Sequence, residues 1–367
     1  MKKVLIDAHN VGVRTAGNEV YFENLVMGLS KNNNKLDLSV LIKDDKWVPH
    51  NINKVDLKSN SVVLQRGLEI PYQVKKGNFD LLHVPFAIPP VNFSKTLVTV
   101  HDILFEDFKE FFSKSTLKRL KLTTPITTRK CTHITTVSNY SKESIMEKYG
   151  IEEQKITMIP NSLSLSFENA LNTVTSDTIH KTKRELNIIE DYILFVGTVQ
   201  PRKNIARIIE SFKFSNAYND LKLVIAGGRG WLYEEIFSLV KELNIENRVI
   251  FTGSISDIEL ANLYKGSTML VYPTIAEGFG IPLLEAMASG IPIITSNTTA
   301  LPEVAGKAAI YVDPYNISEI SDAIRTLLHE SKTRDDLVEQ GTKELSRYSR
   351  DKTSVELVRL YEKILGE

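Results

Sequence analysis

One cysteine, Cys131, stands among 367 residues, which excludes an internal disulfide and makes a reducing compartment the economical expectation. The chain also lacks any run near the ~20 consecutive apolar residues that a membrane-spanning helix needs. Two lysines and the short run Val4-Leu5-Ile6-Asp7 open the sequence, too little apolar length for a signal peptide, so the expected location is the cytoplasm. Net charge is missing as well. Lys plus Arg number 45 and Asp plus Glu number 45, which removes the whole-protein basic field that draws nucleic acid. No nucleic-acid partner is expected, and any phosphate chemistry has to be local.

What is present fits an ordinary folded protein of two domains: 42% apolar and 25% charged residues, and a length beyond one usual core. Short β-branched runs alternate with helical patterns at Val4–Ile6, Leu38–Ile42, Leu81–Val84, Leu97–Val100, Ile134–Val137 and Ile156–Ile159. A second series follows at Tyr192–Val196, Leu221–Ala226, Val249–Thr252, Met269–Tyr272, Ile291–Thr295 and Ala309–Val312. Such alternation predicts α/β architecture with doubly wound parallel sheets. Between the series, the polar stretch Asn169–Lys183 reads as a linker, dividing the chain into 1–172 and 173–350; one large sheet is the alternative. Apolar residues at helical spacing over Ser354–Ile364 predict a terminal helix within 351–367.

Four stretches carry chemistry. Glu277-Gly278-Phe279-Gly280-Ile281-Pro282 follows a strand and opens a helix that ends at Gly290. Its glycines let backbone amides approach a ligand, and a helix N-terminus favours an anion such as phosphate. Glu277 in the loop and Glu285 in the helix are carboxylates suited to sugar and ribose hydroxyls. Gly197-Thr198-Val199-Gln200-Pro201-Arg202-Lys203-Asn204 follows another strand, where Arg202 and Lys203 could neutralise a diphosphate. His101-Asp102 ends a strand of the first series, where the histidine could donate to a hydroxyl or phosphate. Gly17, in the loop after the first strand, permits close backbone contact. Each stretch alone also fits a plain structural part: a glycine-rich turn with a solvated glutamate, a basic helix cap, or a satisfied structural histidine.

Glu277 to Gly290, with its two glutamates eight positions apart, resembles the signature of retaining glycosyltransferase family 4. Arg-Lys-Asn at 202–204, His-Asp at 101–102, Thr-Val-Ser-Asn-Tyr-Ser at 136–141 and Pro-Asn-Ser at 160–162 support the likeness across most of the chain. The resemblance implies a GT-B fold, two Rossmann-like domains facing across a cleft. The acceptor would lie in residues 1–172 and the nucleotide-sugar donor in 173–350, with 351–367 packing back on the first domain. It makes Glu277, His101, Lys203 and Arg202 the catalytic residues. Gly17, Thr198, Gly278, Phe279, Gly280, Ile281 and Glu285 would bind the donor. Thr198 departs from the arginine that many relatives place after the preceding glycine, and the spacing around Gly17 departs as well.

The implied reaction is transfer of a sugar, mannose or a related hexose, from a nucleotide-diphosphate sugar to a glycan or lipid-linked acceptor, in cell-surface polysaccharide synthesis. The donor is a substrate, so no cofactor is expected. No Asp-x-Asp motif ends a strand and Asp44-Asp45 reads as a polar turn, so cationic side chains are expected where other enzymes use a metal. Gly227-Gly228-Arg229-Gly230-Trp231 is similar to mannosyl- and rhamnosyl-type members. Phe108–Lys130 mixes Phe111, Phe112, Leu117, Leu120 and Leu122 with Lys109, Lys114, Lys118, Arg119 and Lys121, which suggests peripheral contact with the inner face of a membrane; a core helix with a basic outer face is the competing reading. A nucleotide-sugar epimerase of similar fold and a non-catalytic nucleotide-sugar-binding subunit are the rival functions. A glycan phosphorylase and a glycosidase fit less well, the first because it should be much longer, the second because Glu277 and Glu285 sit in a phosphate-type setting.

Overall fold

In a computed structural model, the structure describes residues 1–9, 11, 17–33, 35–43, 47–228, 230 and 233–366. The loop at 12–16, the Asp44-Asp45 turn, and Arg229 and Trp231 lie outside the described residues. The chain forms two compact units, one of Met1–Ser164 with the segment from Tyr348 onward, the other of Leu165–Arg347.

The first unit holds seven strands: β1 (Lys2–Asp7), β2 (Leu36–Ile42), β3 (Asn53–Asp56), β4 (Leu81–Pro85), β5 (Lys95–Thr99), β6 (His133–Thr136) and β7 (Ile156–Met158). They pair in parallel in the order β3-β2-β1-β4-β5-β6-β7. Strands covered on both faces read as continuous apolar runs, which is why six of them were visible in the sequence. The seventh, β3, pairs only with β2 at the sheet edge and contains one apolar residue, Val55, so it left no pattern to find.

The closing helix Arg350–Leu365 belongs to this first unit and lies against the Gly17–Asn32 helix. A Cβ at Gly28 would come 2.7 Å from Ser354 Cβ, and Asn32 Nδ2 donates to Ser354 Oγ at 2.7 Å. Farther along, the Tyr361 hydroxyl meets His83 Nδ1 at 2.7 Å, and His83 Nε2 meets Thr99 Oγ1 at 2.7 Å. Burial, assisted by nearby His101, lowers the His83 pKa to about 3, so this imidazole is a neutral core group.

The second unit holds β8 (Tyr192–Val196), β9 (Lys222–Ala226), β10 (Val249–Gly253), β11 (Met269–Tyr272), β12 (Ile293–Ser296) and β13 (Ala309–Val312). These are parallel in the order β10-β9-β8-β11-β12-β13. The stretch expected to be a linker is largely helical and belongs to this unit. Leu165–Leu171 and Ser176–Glu185 are helices, the second opened by a capping box in which Thr175 and Thr178 serve each other's backbone. Its few apolar residues obscured it, but Thr178 Oγ1 donates to Asn262 Oδ1 at 2.7 Å, fixing it on the helix Asp257–Gly266. The division between units accordingly falls after Ser164, eight residues before the expected boundary.

Candidate functional site

In the second sheet the strand order turns at β8 and β11, from which the chain winds outward in opposite directions. Loops that leave the carboxyl ends of two such strands diverge and open a crevice, the usual ligand position of doubly wound sheets. Gly197 to Asn204 follows β8 and Pro273 to Gly280 follows β11, so the two stretches singled out in the sequence meet here.

Asn204 explains how the first loop is held. Its backbone is left-handed (φ 61°), and its buried amide nitrogen donates to Pro273 O at 2.8 Å and Pro314 O at 2.6 Å. Its side-chain oxygen accepts from Arg207 at 3.0 Å. The turn is thereby strapped to the ends of β11 and β13. Ile275 N–H also donates to Arg202 O at 3.0 Å. Gly227 tightens the neighbouring loop, since a Cβ there would lie 2.2 Å from Gly197 O.

Within this frame Glu277 sits between both cations. Lys203 Nζ is 2.6 Å from its Oε1, and Arg202 is 3.0 Å from Oε2. Arg202 also donates to Ala276 O, and Lys203 donates to the Tyr272 hydroxyl at 2.9 Å. That hydroxyl in turn donates to Glu277 at 3.1 Å, while Thr299 Oγ1 accepts from Glu277 N at 3.0 Å. Burial alone would raise the Glu277 pKa, but the two cations outweigh it and hold the carboxyl at about 2. Two positive charges and one negative leave the cluster net positive, with a permanently ionised acceptor at its centre. This matches what a sugar diphosphate presents.

Next comes the helix Ile281–Ser289. Gly280 caps it with φ 103°, Pro282 occupies the first turn, and left-handed Gly290 ends it. A Cβ on Gly280 would meet Leu301 Cδ2 at 2.8 Å, so only glycine fits both the dihedral and the space. Gly278, Phe279 and Gly280 are buried with the rest of the loop, whereas Ile281, Glu285, Arg202 and Lys203 keep part of their surface and Thr198 is exposed. The margin of the site is formed by these side chains rather than by an open glycine loop. Glu285 has a different environment from Glu277: Tyr264 donates to it at 2.7 Å, and burial, assisted by Asp257, raises its pKa to about 7.

His101 belongs to the first unit. It follows β5, with the Tyr21 ring edge-on at 4.8 Å and Phe86 at 5.8 Å, and its Nε2 is buried. Burial lowers its pKa to about 4, so it acts as a neutral imidazole. Asp102 Oδ1 accepts from Leu104 N–H at 3.1 Å and so shapes the turn that follows. Gly17 begins the Gly17–Asn32 helix. Sequence reasoning missed the roles of Tyr272 and Tyr264, and it missed a buried pair at the end of β1 in which the His9 ring bonds to Asp7. Asn204 was legible, as the residue after Arg-Lys; the two tyrosines look like ordinary core aromatics until the fold aims their hydroxyls.

The membrane reading of Phe108–Lys130 is altered by the structure. Phe112, Leu117 and Leu120 pack on the core of the first unit, whereas Leu122 stays exposed; the helix itself runs from Lys114 to Lys130. Among the described residues no helix is long and apolar enough to cross a membrane, and no group of three or more His, Cys, Asp or Glu side chains could hold a metal.

Comparison with known proteins bears on both units. Residues 177–344 match the family model for glycosyl transferases group 1, and residues 16–167 match the model for glycosyltransferase family 4. The O-antigen chain mannosyltransferase RfbU of Salmonella typhimurium is 34% identical over 255 residues, which cover 69% of this chain and 66% of that protein. O-antigen chain mannosyltransferase B of Escherichia coli is 25% identical over 283 residues, 77% of this chain and 74% of the relative. Among solved structures, a glycosyltransferase from Rickettsia africae aligns with TM-score 0.75 at 19% identity, covering 99% of this chain and 98% of the other. Anabaena HepE, in complex with UDP and glucose, aligns with TM-score 0.76 at 15% identity, covering 99% and 100%. At these identities the two structures speak for the fold.

Proposed function

The chain belongs to glycosyltransferase family 4, and from that premise we propose that it transfers mannose or a closely related hexose from a nucleotide-diphosphate sugar to a glycan or lipid-linked acceptor. Transfer retains the anomeric configuration, uses no metal ion, and serves assembly of a surface polysaccharide. The observation that carries this reading is the Arg202–Lys203–Glu277 cluster at the turning point of the second sheet. The relatives named as O-antigen chain mannosyltransferases favour mannose and a polysaccharide product.

As the bond from the sugar C1 to the diphosphate breaks, negative charge gathers on the leaving phosphate. Arg202 and Lys203 stabilise that charge, each such donor being worth about 3 kcal/mol where water is excluded. Glu277, ionised across the physiological range, accepts hydrogen bonds from the sugar hydroxyls, and Glu285 accepts from the ribose. Thr198 and the first turn at Ile281 complete the donor contacts. Neutral His101 donates to a hydroxyl of the transferred sugar, and the acceptor attacks from the face the diphosphate leaves. Tyr272 and Asn204 position the cations and touch no substrate.

A thermal-shift screen over GDP-mannose, UDP-glucose and other nucleotide sugars, run with a chelator present, tests the proposal. One donor should stabilise the protein, by about 2.7 kcal/mol at a hundredfold excess over its Kd. That donor should then support retention-of-configuration transfer. If no nucleotide sugar stabilises the chain, the proposal fails.

A further inference from the structure

The core of the first unit carries a file of polar groups for which the proposed reaction has no use. Tyr361, His83, Thr99 and Thr135 are 0% exposed and Tyr21 is 5% exposed. Burying a hydroxyl or an imidazole costs free energy unless it finds a partner, so these groups persist in the core only by serving one another. They come from separate places in the chain. Tyr361 stands on the closing helix, His83 on β4, Thr99 on β5, Thr135 on β6 and Tyr21 on the helix Gly17–Asn32. The three strands are neighbours in the sheet, and their register sets Thr99 directly beside Thr135.

Proton placement gives the file a direction. Among the described residues His83 is the only partner of the Tyr361 hydroxyl, which lies 2.7 Å from Nδ1. If Nδ1 carried the proton of the neutral ring, the phenol proton would be buried without an acceptor. Tyr361 therefore donates to Nδ1, and the ring carries its own proton on Nε2. From there Nε2–H donates to Thr99 Oγ1 at 2.7 Å, and Thr99 Oγ1 lies 2.9 Å from Thr135 Oγ1. Burial raises the Tyr21 pKa, and hydrogen bonds from Thr99 and Thr135 oppose that rise. Donation thus runs from the closing helix, across the strands, to the Tyr21 hydroxyl.

Tyr21 ends the file, and its ring stands edge-on to His101, with 4.8 Å between centroids and 87° between planes. Phe86 flanks the same imidazole at 5.8 Å. Among the described residues nothing hydrogen-bonds to the His101 ring, whose Nε2 is buried. Packing against Tyr21 and Phe86 therefore sets the angle of the imidazole, and a shift of either ring turns it. An anchor for the closing helix alone would need no hydroxyl at position 361, since phenylalanine fills nearly the same space without burying one. The hydroxyl is needed to hold His83 in one tautomer and so to orient the groups beyond it.

We propose that Tyr361 is a positioning residue for His101, acting through His83, Thr99, Thr135 and Tyr21, so that docking of the closing helix sets the angle of the imidazole. The inference rests on the reading of His101 as the donor to the transferred sugar. Tyr361→Phe and Tyr21→Phe cut the file at its two ends while keeping both rings. In NMR spectra of isotope-labelled histidine, recorded without substrate, Tyr361→Phe should move the His83 signals away from the Nε2–H pattern. Both variants should shift the His101 ring signals, identified by their loss in His101→Gln. Transfer should fall about threefold in each, in kcat rather than in KM for the donor, and the double variant should fall no further than the weaker single one. Ser354→Ala deletes the Asn32 bond to the same helix and should leave the His101 signals and kcat as they are in the wild type. Unmoved His101 signals in either phenylalanine variant, losses that multiply in the double variant, a loss confined to donor KM, or an equal His101 shift in Ser354→Ala would each overturn the proposal. If the His101 signals move and transfer keeps its rate, the network stands and the reading of His101 as the donor to the sugar fails.

Discussion

The two units share one strand order around their central strands yet place charge in opposite ways. In the second unit the cations point inward, where Arg202 and Lys203 close on Glu277 within 3.0 Å. In the first, the comparable edge carries a neutral histidine beside Tyr21 and Phe86, and cations gather on the outer faces of helices. The same scaffold thus serves different chemistry. Fixed positive charge in a sheltered place suits a phosphate, whereas a neutral imidazole between aromatic rings offers a hydrogen bond without charge.

The sharpest way to break this contrast is to remove an inward cation. Lys203→Ala should lower kcat/KM by about 10²–10³ with the melting transition largely kept, because Arg202 still partners Glu277. Steady-state kinetics with the donor varied checks it, and wild-type values would erase the distinction between the units. A smaller effect is expected in the first unit. His101→Ala should lower kcat about tenfold, the scale of one neutral hydrogen bond, and leave nucleoside diphosphate affinity unchanged. A matched loss of nucleotide affinity would mean that the histidine serves the donor phosphate instead.

Asn204 sharpens the comparison from the structural side. Asn204→Gly keeps the left-handed backbone but deletes both amide donations, so denaturant unfolding should show a loss of about 2 kcal/mol. Asn204→Ala adds about 1 kcal/mol of backbone strain. In the glycine variant KM for the donor should rise more than kcat falls, since the cations remain but are held less firmly. An unchanged KM would reduce Asn204 to a purely structural part.

The smallest effect is a pH dependence. Glu285 is raised from 4.5 to about 7, so between those values the folded state binds more protons than the unfolded one, and this carboxyl lowers stability as pH rises through that window. Glu277 is lowered from 4.5 to about 2, so its contribution is present above 4.5 and is lost as pH falls toward 2. Denaturant midpoints from pH 5 to 8 should therefore slope less in Glu285→Gln than in the wild type. Identical slopes would contradict the burial argument for Glu285.

Much of this was legible because the site in the second unit is built from local rules. Gly280, Pro282 and Gly290 announce a capped helix after a strand, and Arg202-Lys203 stands where the next loop must turn. Apolar runs likewise revealed every buried strand. What escaped depended on partners distant in sequence. Polar β3 exists because β2 offers an edge, and the helix Ser176–Glu185 exists because Thr175 caps it and Asn262 receives it. Tyr272 is a core residue by pattern, and only the meeting of two loops brings Lys203 and Glu277 to its hydroxyl. Phe112, Leu117 and Leu120 gave Phe108–Lys130 its amphipathic look, but they pack on the core and leave Leu122 exposed.

Calorimetric binding of a nucleoside and its diphosphate, measured in the wild type and in Lys203→Ala, tests the central claim most directly. Should the inward cations hold the diphosphate, the diphosphate's advantage over the bare nucleoside will shrink by about tenfold or more in the variant, while nucleoside affinity stays the same. An advantage of the same size in both proteins would place the phosphates elsewhere and contradict the account.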